Sequence, residues 1–414
     1  MKVSKYNFYF HFEKEYYIFN SWKGSLLKLE KTKIEQIKNG IFDLFNDNET
    51  NLLLENGIIT EQNEYKEILK ENALSVKKRS DKVFSITILP TLNCNASCLY
   101  CFETGCIKTD MTYETIEKVS KFIKDNSKQR MVKITWFGGE PLLATNVISK
   151  ISMNLKKWGI PFSSSMITNG FFIDKYLKEA INNWNLKRIQ VTIDGLHSQY
   201  EDIKKMGAGS FEKVMSNIET AIENKIIVSV RVNFDSSNVL DYKSIIEYLY
   251  KRFKNSINIY FHDIVGKNYK APYEMKTNPL VPILEELIKY GYAKTLKDLR
   301  IDRCYQACSI NVDDFFNVAP DGTLTKCEHY VGKTSVLDCG TIECVSQKEK
   351  RFTTKLKCSE CKMFPICSGG CWANNYERPY SGCHRLKGSL EKVLKIYLTN
   401  RKDNKYGCDF SKFR

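Results

Sequence analysis

Cys94, Cys98 and Cys101 crowd into the stretch TLNCNASCLYCFE, residues 91–103, just after an apolar run. Thiolates are the usual ligands of iron–sulfur clusters, which normally take four. Three closely spaced thiols leave one metal position open, as a catalytic metal centre requires. The same spacing fits a buried group, or zinc with its fourth ligand elsewhere. Further along, WFGGEPLL brings Gly138, Gly139, Glu140 and Pro141 together. Two glycines let a backbone approach a ligand closely, and the adjacent carboxylate can bind an ammonium group. A tight strand-to-helix turn would use the same residues. SMITNG offers Thr168 and Asn169 for hydrogen bonding, and VTIDG offers Thr192 and Asp194, the latter suited to orienting a strand end.

A second group of cysteines lies near the C-terminus. Cys304 and Cys308 are followed by Gly322 and Cys327, and then Cys358, Cys361, Cys367, Cys371 and Cys383. The Cys358-x2-Cys361 pair taken alone is half a zinc ribbon. Together, the eight cysteines make two four-thiolate sites. Cys106, Cys339, Cys344 and Cys408 are left over and read as structural thiols.

Composition narrows the class. Fifteen cysteines without an export signal argue against a disulfide framework and for metal or redox chemistry. With five histidines, imidazole-rich metal sites are not expected. No apolar segment is long enough for a membrane span, and the reading is a cytoplasmic protein. The net charge of +15 describes either a generally Lys-rich surface or a basic groove for an acidic partner.

These residues need elements to position them. At 414 residues, 43% hydrophobic, the chain has room for two or three domains with real cores. In residues 1–80, YNFYFHF and YYIFNS read as strands flanking Glu13–Lys14, helical patterning starts at Ile34, and NETNLLLENGIIT reads as a helix closed by Gly57 before a strand. That describes a winged-helix α+β module. The charged stretch KKRSDK leads to residues 81–300, where strand-like runs at Phe84–Leu89, Val132–Phe137, Ser163–Ile167, Arg188–Ile193, Ile226–Phe234 and Ile257–Phe261 alternate with amphipathic helices. Six βα units predict an α/β fold, a partial (β/α)6 TIM-like barrel, with its site at the C-terminal ends of the strands. Residues 301–414 are cysteine-rich with little periodicity, and read as an iron–sulfur domain.

C-x3-C-x2-C with the aromatic Tyr100 before its last cysteine, followed by GGEP, resembles the radical S-adenosylmethionine (SAM) enzymes over roughly residues 84–265. The resemblance implies that Cys94, Cys98 and Cys101 hold a [4Fe–4S] cluster whose open iron binds SAM. One electron from the cluster then breaks a carbon–sulfur bond of SAM, and the 5′-deoxyadenosyl radical takes hydrogen from a substrate carbon. By the same match, Gly138, Gly139 and Glu140 meet the methionine amino group and Thr192 the ribose. Lys204 stands where relatives carry an Arg for the methionine carboxylate, and Arg231 is a second candidate for that contact. The C-terminal string resembles the SPASM extension of these enzymes over about residues 304–385. It implies two auxiliary [4Fe–4S] clusters, one on Cys304, Cys308, Cys327 and Cys371, the other on Cys358, Cys361, Cys367 and Cys383. If Cys304 is not a ligand, the first has an open iron that a substrate thiol can occupy.

SPASM enzymes mostly modify peptides, and residues 1–80 resemble the RiPP recognition element, which binds a leader peptide by strand addition. The leading expectation is a maturase that forms a cysteine thioether in a ribosomal precursor peptide, as in sactipeptides and ranthipeptides. Carbon–carbon or carbon–oxygen crosslinks and epimerisation share the machinery. A sulfatase maturase is the alternative enzyme; its relatives carry Asp where this chain has Glu328, a candidate base. A zinc-bearing binding module would leave GGEP without a purpose. The reading further implies a ferredoxin or flavodoxin reductant, and no nucleic acid.

Overall fold

The computed structural model describes residues 1–235, 238–264, 278–305, 308–332, 338–345, 356–371 and 383–402. The chain divides into two compact units. One comprises Met1–Lys77, Leu280–Cys308 and Arg351–Arg414; the other comprises Lys78–Pro279 and Ser309–Lys350.

In the first unit, β1 (Lys2–Val3) pairs with β5 (Ile59–Thr60), and β2 (Asn7–Phe12), β3 (Glu15–Asn20) and β4 (Ser25–Leu29) form an antiparallel sheet. The β2–β3 turn falls at Glu13–Lys14, with Glu13 at φ 54°. Helix Asp47–Glu55 starts on a capping box between Asn46 and Glu49, and Gly57 follows at φ 70°. Ile18, Ile34, Ile37, Leu53, Ile58 and Ile59 share one core, each burial worth about 2 kcal/mol. KKRSDK is the last part of a helix, Glu64–Lys82.

This unit also takes in the cysteine-rich segment around Cys358. Tyr6, Trp22, Ile68 and Phe364 form one cluster, with Cys358 and Cys361 packed against it. Ser21 Oγ donates to the Lys362 carbonyl (2.6 Å), and Lys362 Nζ donates to the Asn7 carbonyl (3.0 Å). Arg303 joins the pieces: its guanidinium reaches the carbonyls of Cys304 (2.7 Å) and Pro365 (2.8 Å) and Oδ1 of Asn72 (2.7 Å).

The second unit is built on a nine-stranded sheet in the order β11-β10-β9-β8-β7-β6-β12-β13-β14. β6 (Val83–Ile88), β7 (Met131–Trp136), β8 (Phe162–Thr168), β9 (Leu186–Thr192), β10 (Ile227–Phe234) and β11 (Ile257–Asp263) are parallel neighbours. All six expected strands form, with ends shifted by a residue or two. β12 (Phe315–Val318) adds to β6 in parallel, and β13 (Thr323–Thr325) and β14 (Asp338–Thr341) continue antiparallel. The sheet is therefore open. β12 was not foreseen, because FFNV is too short a run to announce a strand whose partner lies far back in the chain.

The sheet's two faces differ. Val228, Val230 and Val232 on β10, like Ile257, Ile259 and Phe261 on β11, are buried. The alternate residues are polar: Gln190 and Thr192, Ser229 and Arg231, Asn258 and Tyr260. A parallel sheet covered by apolar layers on both faces reads as unbroken apolar runs. This one has a polar face.

Replacing Arg303 with Met should strip a partner from the carbonyls of Cys304, Pro365 and Ile68 and from the side chains of Glu71 and Asn72, destabilising the helix Glu64–Lys82 by about 3 kcal/mol. Hydrogen exchange would register this as roughly hundredfold lower protection in that helix, with β6–β11 unchanged.

Candidate active site

The three cysteines sit on a loop between β6 and the helix Tyr113–Ser127. The two ends of the loop are zipped together. Leu92 N donates to the Thr109 carbonyl and Met111 N to the Pro90 carbonyl, both at 2.9 Å. Thr91 Oγ1 donates to Asp110 Oδ1 and accepts from Asn93 N, and Asn93 Nδ2 also reaches that carboxylate (2.8 Å). Between these ends the chain makes consecutive tight turns: Cys101 N donates to the Cys98 carbonyl (3.1 Å), Thr104 N to that of Cys101 (3.2 Å) and Cys106 N to that of Glu103 (3.0 Å).

The ends of three strands hold this loop. After β7, Gly139 N donates to the Thr91 carbonyl (3.1 Å) and Glu140 N to the Asn93 carbonyl (2.8 Å). A Cβ on Gly138 would stand 2.4 Å from the Thr91 carbonyl oxygen, and one on Gly139 would stand 2.1 Å from that of Asn93. Gly138 also has φ 106°. The bare glycines thus admit the backbone of the cysteine loop at close range. After β8, Asn169 Nδ2 donates to Asn95 Oδ1 (2.8 Å). After β9, Asp194 accepts from the Tyr100 hydroxyl and pairs with Lys204 (2.7 Å).

Glu140 is fully buried. One carboxylate oxygen accepts from Leu142 N (3.1 Å) and Thr168 Oγ1 (2.8 Å), the other from Asn169 N (2.8 Å). Burial raises its pKa to about 7 against the opposing pull of those donors. Thr168 thus serves Glu140. Thr192 lies beside Arg231 in the β9–β10 register, on the polar face. Arg231 donates from Nε to Asn233 Oδ1 (2.8 Å) and meets His262 Nδ1 (3.1 Å). Sequence reasoning passed over His262, Asn95 and Asn233; the alternation INIYFHD, polar at every second residue, was the signal for the first.

The donor set fits an iron–sulfur cluster. The three thiols are free, and Ala96 N is aimed at Cys94 Sγ (3.4 Å), the kind of hydrogen bond that tunes a ligating sulfur. Burial lifts the Cys94 thiol to about 11 and raises those of Cys98 and Cys101, so in the metal-free chain they hold protons that iron must displace. Glu328 is half-buried and opens the turn Glu328–Tyr330 right after Cys327, and His329 of that turn packs 4.6 Å from the Phe102 ring, next to Cys101.

A second thiol set gathers in the other unit. Cys367 is raised by burial to about 12, with Cys383, Cys358 and Cys361 close enough to push it further, and the His384 amide points to it. Cys304, Cys308 and Cys371 belong to this unit, whereas Cys327 belongs to the sheet unit. Of the leftover cysteines, Cys106 packs with Leu89, Leu92, Ala319, Val331 and Phe137, Cys339 is buried and Cys344 exposed; Cys408 lies outside the described residues. Among the described residues, no helix is long and apolar enough to cross a membrane.

Comparison with known proteins bears on this arrangement. Residues 88–249 match the Radical SAM superfamily. The chain is 25% identical over 268 residues to the GTP 3′,8-cyclase of Clostridium perfringens strain SM101, covering 58% of this chain and 79% of that one. It is 24% identical over 378 residues to the radical SAM cyclopropyl synthase TigE of Paramaledivibacter caminithermalis, covering 80% and 78%. Among solved structures, native anSMEcpe with bound AdoMet and Cp18Cys peptide superposes with a TM-score of 0.60 at 19% identity, covering 78% of this chain and 98% of that one. The likeness to that structure is one of fold.

Two outcomes follow from the geometry. Gly139→Ala should unseat the cysteine loop, costing more than about 3 kcal/mol because the obstruction is backbone, and the variant should retain little iron after anaerobic reconstitution. Glu140 has a folded pKa above its ordinary 4.5, so its contribution to stability is whole below that pH and declines as pH rises toward 7. In the metal-free chain, urea unfolding across that window should show a loss on the order of 3 kcal/mol that Glu140→Gln removes.

Proposed function

We propose, from the premise that residues 88–249 are a radical SAM domain, that the chain is a peptide maturase. It takes hydrogen from a carbon of a ribosomally made precursor and leaves an intramolecular crosslink, with a cysteine thioether as the favoured product; forming that carbon–sulfur bond breaks the thiol S–H, releases its proton and leaves one surplus electron, which an auxiliary cluster would accept. The radical SAM fold brings SAM and a [4Fe–4S] cluster, which together supply a carbon-centred radical when bound.

The chain's own residues have separate tasks. Cys94, Cys98 and Cys101 are the cluster ligands, and Gly138, Gly139 and Glu140 fix their loop at the strand ends. Asn169, Thr192 and Arg231 would orient SAM, whose methionine ammonium and carboxylate need charged or dipolar partners. Tyr260 and His262, on the same polar face, would meet a peptide backbone. Cys358, Cys361, Cys367 and Cys383 would hold an auxiliary cluster. Cys304, Cys308, Cys327 and Cys371 are assigned to another by the SPASM resemblance, for three [4Fe–4S] clusters in all. Residues 1–80 would bind the leader, 81–300 carry the radical chemistry and 301–414 the auxiliary clusters. A ferredoxin or flavodoxin in the cytoplasm would supply the electron.

The observation that carries the peptide reading is the company kept by the second thiol set. It shares a compact unit with an N-terminal sheet whose outer strands, β2 and β4, have no further strand paired to them among the described residues. An unpaired sheet edge is how a leader strand is captured. A solved structure of the same fold holds a peptide beside AdoMet. A nucleotide-modifying role like that of the cyclase relative would leave both the thiol set and the sheet edge unused.

The test is mass spectrometry of a short cysteine-containing precursor peptide after anaerobic incubation with the iron-loaded chain, SAM and dithionite. Loss of two hydrogens per modified cysteine, with those thiols no longer alkylatable and 5′-deoxyadenosine released, is the expected result. Loss of hydrogen with every thiol still alkylatable would replace the thioether by a carbon–carbon or carbon–oxygen crosslink. Peptides unchanged across a panel, despite SAM cleavage, would overturn the peptide reading.

A further inference from the structure

We infer that Lys204 is a positioning residue for the cluster loop: together with Asp194 and Tyr100 it clamps the Cys98–Cys101 segment to the end of β9, and its ammonium binds neither SAM nor substrate. The inference deepens the cluster reading of Cys94, Cys98 and Cys101 and rests on it.

Lys204 is the last residue of the helix His197–Lys204 and is 2% exposed. Its Nζ lies 2.7 Å from Asp194 Oδ2 and 2.6 Å from the Tyr100 hydroxyl, which itself donates to the same carboxylate. The ammonium also stands 5.2 Å from the centre of the Tyr100 ring and 5.8 Å from that of Tyr200, two aromatic faces that cover it. The backbone takes part as well. Ser97 N donates to the Lys204 carbonyl (2.9 Å) and Leu99 N to that of Ile203 (3.4 Å). One helix end therefore grips the loop by main chain before and after Cys98, and by side chain at Tyr100.

Asp194 is anchored in turn. Its Oδ1 accepts from Asn233 N (3.0 Å), and its carbonyl accepts from Asn238 Nδ2 (2.9 Å). Burial works against the Lys204 ammonium, but Asp194, Tyr100 and Cys98 outweigh it and hold its pKa well above the ordinary value. A cation meant for a ligand's carboxylate should face the polar side of the sheet. Lys204 is instead enclosed and committed to partners within the chain. Arginine would not replace it, because a planar fork needs room that a point-like ammonium does not.

Removing one member of a buried ion pair strands the other, whereas removing both is often tolerated. The informative variants are therefore Tyr100→Phe and the double variant Lys204→Met/Asp194→Asn, which keeps an acceptor for Asn233 N. Each is loaded anaerobically, and two quantities are read: the rate at which a ferrous chelator bleaches the cluster absorbance, and the dissociation constant for SAM per loaded cluster. We expect bleaching to be about threefold faster in Tyr100→Phe and roughly tenfold faster in the double variant, from the loss of one and then several hydrogen bonds. The SAM dissociation constant should stay within about twofold of the unsubstituted chain, and thermal unfolding of the double variant should stay near it, which separates positioning from simple loss of fold. Bleaching at the unsubstituted rate in both variants would overturn the inference, as would SAM affinity weakened by about tenfold or more. If the unsubstituted chain takes up no iron, the cluster reading itself falls and the inference falls with it.

Discussion

Two backbone hydrogen bonds, from Gly139 N to the Thr91 carbonyl and from Glu140 N to the Asn93 carbonyl, fix where the three thiols stand. Between its zipped ends the loop that carries them has no helix or ladder, so its shape there is borrowed from the strand ends it touches. The approach is too close for any side chain on either glycine, since a Cβ would fall within 2.4 Å of a carbonyl oxygen at both positions. Glu140 then carries the same restraint to β8 through Thr168 and Asn169, at the cost of a buried carboxyl that ionises only with difficulty. Asn95 and Tyr100 tie the loop's far side to the ends of β8 and β9.

Most of this is secured by polar groups that would be expensive to leave unpaired, rather than by apolar packing. That suits a metal loop. Its thiols must remain half-exposed to receive iron, so the usual means of holding a chain segment, burial of large apolar side chains, is not open to it. The polar face of the parallel sheet follows the same logic. Apolar residues such as Val228, Val230 and Val232 secure one face, leaving Thr192, Arg231 and Tyr260 on the other, polar face.

Much of this was legible in the sequence where the signal is local. Strand alternation announced β6–β11 to within a residue or two, and the capping pattern around NETNLLLENG announced the helix Asp47–Glu55. The division of the C-terminal thiols into two sets came from the SPASM resemblance; Cys358, Cys361 and Cys383 each lie close enough to Cys367 to raise its thiol. Long-range pairing was not legible. Nothing in FFNV says that it will extend the sheet beside β6, and nothing in SWKG or KYNF says that Ser21 will donate to the Lys362 carbonyl or that the Asn7 carbonyl will accept from the Lys362 ammonium. Lys204 was placed by its position relative to Asp194 and Gly195. Its actual partners, Asp194 and Tyr100, are 10 and 104 residues away in the chain, and only folding brings the second within reach.

The central claim is that the loop holds a cluster with one iron open to SAM, and electron paramagnetic resonance tests it most directly. The reduced, iron-loaded chain would be recorded alone and with SAM labelled by a magnetic nucleus at its amino nitrogen. The account predicts that SAM shifts the signal of one cluster, that the label couples magnetically to that iron, and that both effects vanish in Cys98→Ala. A fully loaded chain whose spectrum is identical with and without SAM would contradict it.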